Sequence, residues 1–138
     1  MKISPRVFSR DEVNILLPQV EGLLAKIHEK KDAYARRHDE LFMHELLAQA
    51  ETRAGIHHEA AGLEEEVANL ESAIGNLEDD LSKIREMGCV LRNLEQGWVD
   101  FLGRRGEEFI YFCWRRGEPV VQFYHGTERS ATERIPLD

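Results

Sequence analysis

Residues 63–88, LEEEVANLESAIGNLEDDLSKIREMG, decide how the rest of this sequence is read. Leu63, Val67, Leu70, Ile74, Leu77, Leu81 and Ile84 follow one another in alternating steps of four and three, with Glu, Asp, Asn and Ser over most of the remaining positions. These are heptad a and d positions, and they turn one apolar stripe towards a neighbouring helix. Lys83 and Arg85 suit the negative end of the helix dipole, and Gly88 suits the left-handed residue that closes a helix. A helix over about 59–87 spans roughly 43 Å at 1.5 Å per residue.

Its partner lies upstream. Phe8-Ser9-Arg10-Asp11-Glu12-Val13 reads as a capping box, with Ser9 as N-cap, Glu12 reaching back to it, and Phe8 and Val13 as a hydrophobic staple. Apolar residues then recur at Val13, Leu16, Leu17, Val20, Leu23, Leu24 and Ile27, one face of a helix that runs through Pro18. Tyr34, Leu41, Phe42 and Leu46 carry the stripe more loosely to about Ala54. Gly55 and Gly62 flank the expected reversal, with His57 and His58 at its tip. The expected fold class is therefore α+β: a long antiparallel two-helix coiled-coil hairpin over 1–88, then a small β unit over 89–138, folded together. The first helix is the longer by some fifteen residues, so 10–24 overhang the hairpin. The β unit is the natural cover for their stripe and is expected to pack there.

The C-terminal part changes character. Eight of the eleven aromatic residues fall between Trp98 and Tyr124. Short strands are expected at 89–94, 98–101, 107–115 and 119–124. A Gly103-Arg104-Arg105-Gly106 loop and a two-residue Arg116-Gly117 hairpin turn separate the later ones, and everything beyond His125 reads as an extended arm.

Charge and composition narrow the function. The net charge of −8 divides unevenly, with −7 in 1–88 and −1 in 89–138. An acidic hairpin repels a phosphate backbone, so nucleic acid is not the expected partner, although Arg104, Arg105, Arg115 and Arg116 form a local basic group. No apolar run reaches the length of a membrane span, and the start lacks the apolar stretch of a secretory signal. Two cysteines, Cys89 and Cys113, are too few for a disulfide framework, and a cytoplasmic setting is expected.

Five polar residues embedded in the aromatic tail are the candidate ligand-binding set: Asp100, Arg115, Glu118, His125 and Arg134. Across an Arg116-Gly117 turn, Arg115 and Glu118 are expected to face and pair, while either Arg115 or Arg134 offers a guanidinium fork to an anion. A salt-bridge network that pins the small β unit explains the same residues. Cys89, Cys113, His125 and Asp100 are zinc-ligand types, but their spacing lacks the close Cys or His pairs of a metal motif, and no metal or cofactor is expected. Cys113 with His125 would make a nucleophilic dyad, yet the thiol sits in an apolar run where burial leaves it inert. There is no Gly-x-Ser-x-Gly, Walker or dinucleotide-binding loop, and at the tip no Glu-x-x-His pair.

The chain resembles a bacterial family of uncharacterised proteins, a group built on a domain of unknown function. The residues that carry the resemblance are FSRDEVNILLP at 8–18, Gly88-Cys89, Gly97-Trp98-Val99-Asp100-Phe101, Cys113-Trp114-Arg115-Arg116-Gly117-Glu118-Pro119, His125 and Arg134-Ile135-Pro136-Leu137. Where that family's pattern commonly has a Gly-Phe pair, between the His and the Arg, this chain has Ser130-Ala131. The resemblance implies the hairpin fold and no established activity. The expectation is thus a non-enzymatic protein-interaction or assembly module, a homo-oligomer through its hairpin. The opposing expectation is a small-molecule or metal site in the β unit, with catalysis there as one form of it.

Overall fold

The computed structural model of the protein describes residues 6–56, 63–128 and 133–138. The element order is α1 (Arg10–Arg53), α2 (Leu63–Glu86), β1 (Val90–Asn93), β2 (Trp98–Arg105), β3 (Glu108–Arg115), β4 (Phe123–Gly126) and β5 (Ile135–Pro136), the α+β arrangement expected of the sequence. The strands form one antiparallel meander in the order β1-β2-β3-β4-β5. The hairpin tip, with His57, His58, Glu59 and Gly62, lies outside the described residues, as does Ser130-Ala131.

The chain divides into two compact units. One comprises Met1–Ala25 with Leu81–Asp138, the other Lys26–Asp80. In the first, the capping box forms as its residues dictate. The Glu12 N–H donates to Ser9 Oγ at 3.2 Å, and the Ser9 N–H donates to Glu12 Oε1 at 3.0 Å. Those bonds, foremost the one from the Ser9 backbone, hold the Glu12 carboxyl below its ordinary range. Phe8, Val13, Leu17, Val20 and Leu24 are all buried. The sheet packs on this stretch of α1. Phe8 meets Phe101 edge-on, Asn14 Oδ1 accepts from the Val121 N–H at 2.8 Å, and Glu21 pairs with Arg116 at 2.7 Å.

Residues paired directly across antiparallel strands share a face. The β2–β3 register therefore puts Val99, Phe101, Gly103, Ile110, Phe112 and Trp114 on one side, where every side chain is buried. Trp98, Asp100, Leu102, Phe109, Tyr111, Cys113 and Arg115 occupy the other side, joined by Phe123 and His125 from β4. The first face is core. The second holds the polar residues.

Three strand expectations are corrected. Gly103, Arg104 and Arg105 belong to β2, because Gly103 sits in the core, where a Cβ would come within 2.3 Å of Phe112; the turn falls at Gly106-Glu107 instead. The Arg116-Gly117 turn forms, but not as a two-residue hairpin, because residues 119–122 carry no strand pairing and the sheet resumes only at Phe123. Glu118 N–H donates to Arg115 O, Trp114 Nε1 donates to Glu118 O, and these bonds hold a longer connection before β4 starts at Phe123. The expected C-terminal arm contributes β5, which pairs Ile135 with Tyr124 and Pro136 with Phe123.

In the second unit the two helices run antiparallel. Lys30 reaches Asp80 Oδ2 at 2.7 Å and the Asn76 carbonyl at 3.3 Å, while His44 meets Glu66 at 2.6 Å further along. The core of this unit is thin. Among its described residues only Ile27 and Asp80 are buried.

Candidate functional site

The polar face is organised around Asp100, the third residue of β2, which is wholly buried. A buried carboxylate persists only if its oxygens find donors. Trp98, two residues back and therefore on the same face, donates Nε1–H to Oδ1 at 2.7 Å. Arg92, from the neighbouring strand β1, donates Nε–H to Oδ2 at 2.9 Å. His125 Nε2 lies 2.7 Å from the same Oδ2. The other ring nitrogen, Nδ1, lies 2.8 Å from the Gly126 carbonyl. A carbonyl only accepts, so Nδ1 carries a hydrogen, and Nε2 shares its proton with Asp100.

Cys113 stands directly across from Asp100 in the β2–β3 register and is fully buried. The ligand atoms of Asp100, Cys113 and His125 all lie within 4.8 Å of one another. Arg134 completes the group. Its Nε–H donates to Cys113 Sγ at 3.4 Å, its Nη2–H donates to the Cys113 carbonyl at 3.3 Å and to Glu118 Oε1 at 2.5 Å, and its guanidinium lies over the Phe123 ring. Burial pulls this guanidinium down, but the bonds to Glu118 and Cys113 outweigh it and hold Arg134 above its ordinary value. Burial pushes the Cys113 thiol up, opposed by Arg134.

All five predicted polar residues thus meet on one sheet face, with one pairing corrected. Glu118 takes the guanidinium of Arg134 and the backbone N–H of Arg115, at 2.7 Å, rather than the Arg115 guanidinium. The tight local connection at 115–118 turns the Glu118 carboxylate onto the Arg115 backbone, while the Arg115 guanidinium lies over Trp98. Of the metal-ligand types, Cys89 is elsewhere. Its thiol donates to the Ile84 carbonyl at 3.3 Å, and burial pushes it up to about 11. A Cys113–His125 nucleophilic dyad does not form, because both nitrogens of His125 are committed to other partners.

Two participants escaped the sequence reading. Trp98 had a signal that would have found it, its period-two spacing from Asp100. Arg92 had none, since its approach depends on the β1–β2 pairing, which is irregular between Leu91 and Asn93. Three of the basic residues nearby each have a neighbour. Arg104 lies over Phe109, Arg116 pairs with Glu21, and Arg105 lies 3.4 Å from the Asp138 carboxylate.

The family described as Uncharacterized conserved protein (DUF2203) matches residues 6–137. The chain belongs to this family. The match takes in both helices and the whole sheet, so the polar cluster lies inside the family domain. Comparison with curated proteins and with solved structures returns no match. No helix among the described residues is long and apolar enough to cross a membrane.

Proposed function

We propose that this DUF2203 chain is a non-enzymatic assembly module whose Lys26–Asp80 arm packs against the arm of a second copy. One observation carries the reading. Phe42, Met43, Leu46 and Leu47 stand 50–58% exposed in consecutive turns of α1, and the heptad residues Val67 and Ile74 of α2 are 39% and 38% exposed. A two-helix arm with so little buried apolar surface cannot offset the entropy of ordering its own backbone. A four-helix bundle with a second hairpin would bury both the α1 patch and the α2 seam.

Charge favours a second copy as the occupant. Residues 63–80 of α2 carry seven Asp/Glu and no Lys or Arg, whereas 26–53 of α1 carry six of each sign. The Lys30–Asp80 pair within one arm already joins an α1 cation to an α2 anion. Setting α1 of one copy against α2 of the other brings Arg36 and Arg37 towards further carboxylates. The proposed setting is the bacterial cytosol, in keeping with two unpaired thiols.

Light scattering on the full chain over a range of concentrations tests this. The expected result is a dimer that Leu46→Glu with Leu47→Glu converts to monomer, with a loss of helicity. A wild-type chain that stays monomeric at high concentration while its arm amides resist hydrogen exchange would refute it. The second reading, a ligand site on the sheet, is favoured by a different observation, the buried cluster at Asp100.

A further inference from the structure

We propose that Asp100, Cys113 and His125 together bind one zinc ion on the polar face of the sheet. The proposal is independent of how the arms assemble. The three side chains offer one carboxylate oxygen, one sulfur and one imidazole nitrogen, a donor set that suits zinc. Zinc holds such atoms at about 2.0–2.3 Å, so the ligands of one tetrahedral ion lie roughly 3–4 Å apart. The observed separations, all within 4.8 Å and 2.7 Å for Nε2 to Oδ2, bracket that range.

The outer shell points to a metal more specifically than the ligands do. A zinc-binding histidine usually donates its second ring N–H to a carbonyl or carboxylate, which fixes the nitrogen that ligates. His125 does this through Nδ1 and Gly126, and so aims Nε2 at Asp100 and Cys113. The carboxylate is oriented by Trp98 Nε1 on one oxygen and Arg92 Nε on the other. The sulfur accepts from Arg134 Nε, a bond that favours the thiolate a metal requires. Each ligand is therefore also held by a group outside the three.

The exchange balances. Two protons leave when zinc enters, the one shared by His125 and Asp100 and the one on the Cys113 thiol. The carboxylate and thiolate then carry two negative charges against the two positive charges of the ion. Glu118 offsets Arg134, leaving Arg92 to face the carboxylate. Three protein ligands leave a fourth position for water or a small ligand.

The test uses the full-length chain purified without chelators, in a Cys89→Ser background where Cys113 is the only thiol. Zinc is titrated in competition with a chromophoric chelator, and cobalt(II) is added separately as a spectroscopic probe. The expected result is one ion per chain, with a near-ultraviolet thiolate-to-cobalt charge-transfer band. His125→Gln and Cys113→Ala should abolish that binding, and Trp98→Phe should weaken it by about 10–100-fold through the outer shell. A folded Cys89→Ser chain that takes up no zinc, or that binds cobalt without a sulfur band, overturns the proposal. A band that persists unchanged in His125→Gln also overturns it. Because the band is read in the ligand-intact chain, the proposal stays testable even if the ligand variants fail to fold.

Discussion

His125 and Asp100 are 25 residues apart in the chain, yet Nε2 of one lies 2.7 Å from Oδ2 of the other, with both side chains buried. The bond joins β4 to β2 across the intervening strand β3, so it ties together three strands that local pairing alone would link only in sequence. Asp100 collects three donors in all, and their loss has different consequences from one partner to the next.

Asp100→Ala leaves Arg92, Trp98 and His125 without their shared acceptor. Removing one member of a buried charged group costs about 3–5 kcal/mol, because the partners stay behind unpaired. Trp98→Phe keeps the ring and removes a single donor, a loss of about 1–3 kcal/mol. Urea denaturation of both variants should give that order. A near-neutral Asp100→Ala would show that the network does not support the sheet.

The same change of Gly to Ala should have opposite signs at two positions. At Gly103 a Cβ would lie 2.3 Å from Phe112 and 3.0 Å from the Phe8 carbonyl, so Gly103→Ala overpacks the core at a cost of about 1–3 kcal/mol. At Gly75, inside α2, a Cβ meets nothing within 4 Å. There Gly75→Ala should stabilise by about 0.5–1 kcal/mol by restricting the unfolded chain. Paired thermal melts check both.

The Cys89 thiol, pushed up to about 11 by burial, gives stability an alkaline edge. In the unfolded chain the thiol ionises near its ordinary value, whereas the folded chain keeps it protonated. Stability is therefore fully present below the ordinary thiol range and falls as pH rises towards about 11. Cys89→Ser should flatten this part of the stability profile. Equal slopes for the two chains between pH 8.5 and 11, by denaturant titration, would contradict the assignment.

What could be read in the sequence was whatever depended on near neighbours. The Ser9–Glu12 capping box, the stripe from Val13 to Ile27, the end of α2 before Gly88 and the aromatic strand at Cys113 all follow from patterns a few residues long, because capping and helical periodicity are local interactions. The identity of the polar set was legible for the same reason, as charged residues stranded in an apolar tail.

The pairings among those residues were decided only by tertiary structure. Glu118 meets Arg134 rather than the Arg115 guanidinium because of the connection between β3 and β4, and Arg92 reaches Asp100 because an irregular register brings β1 alongside. β5 exists because Tyr124 and Phe123 offer a free strand edge, not because its two residues favour a strand on their own. The sequence specified which groups needed partners. The sheet register, set by burying Val99, Phe101, Phe112 and Trp114 on the opposite face, decided which partners they found.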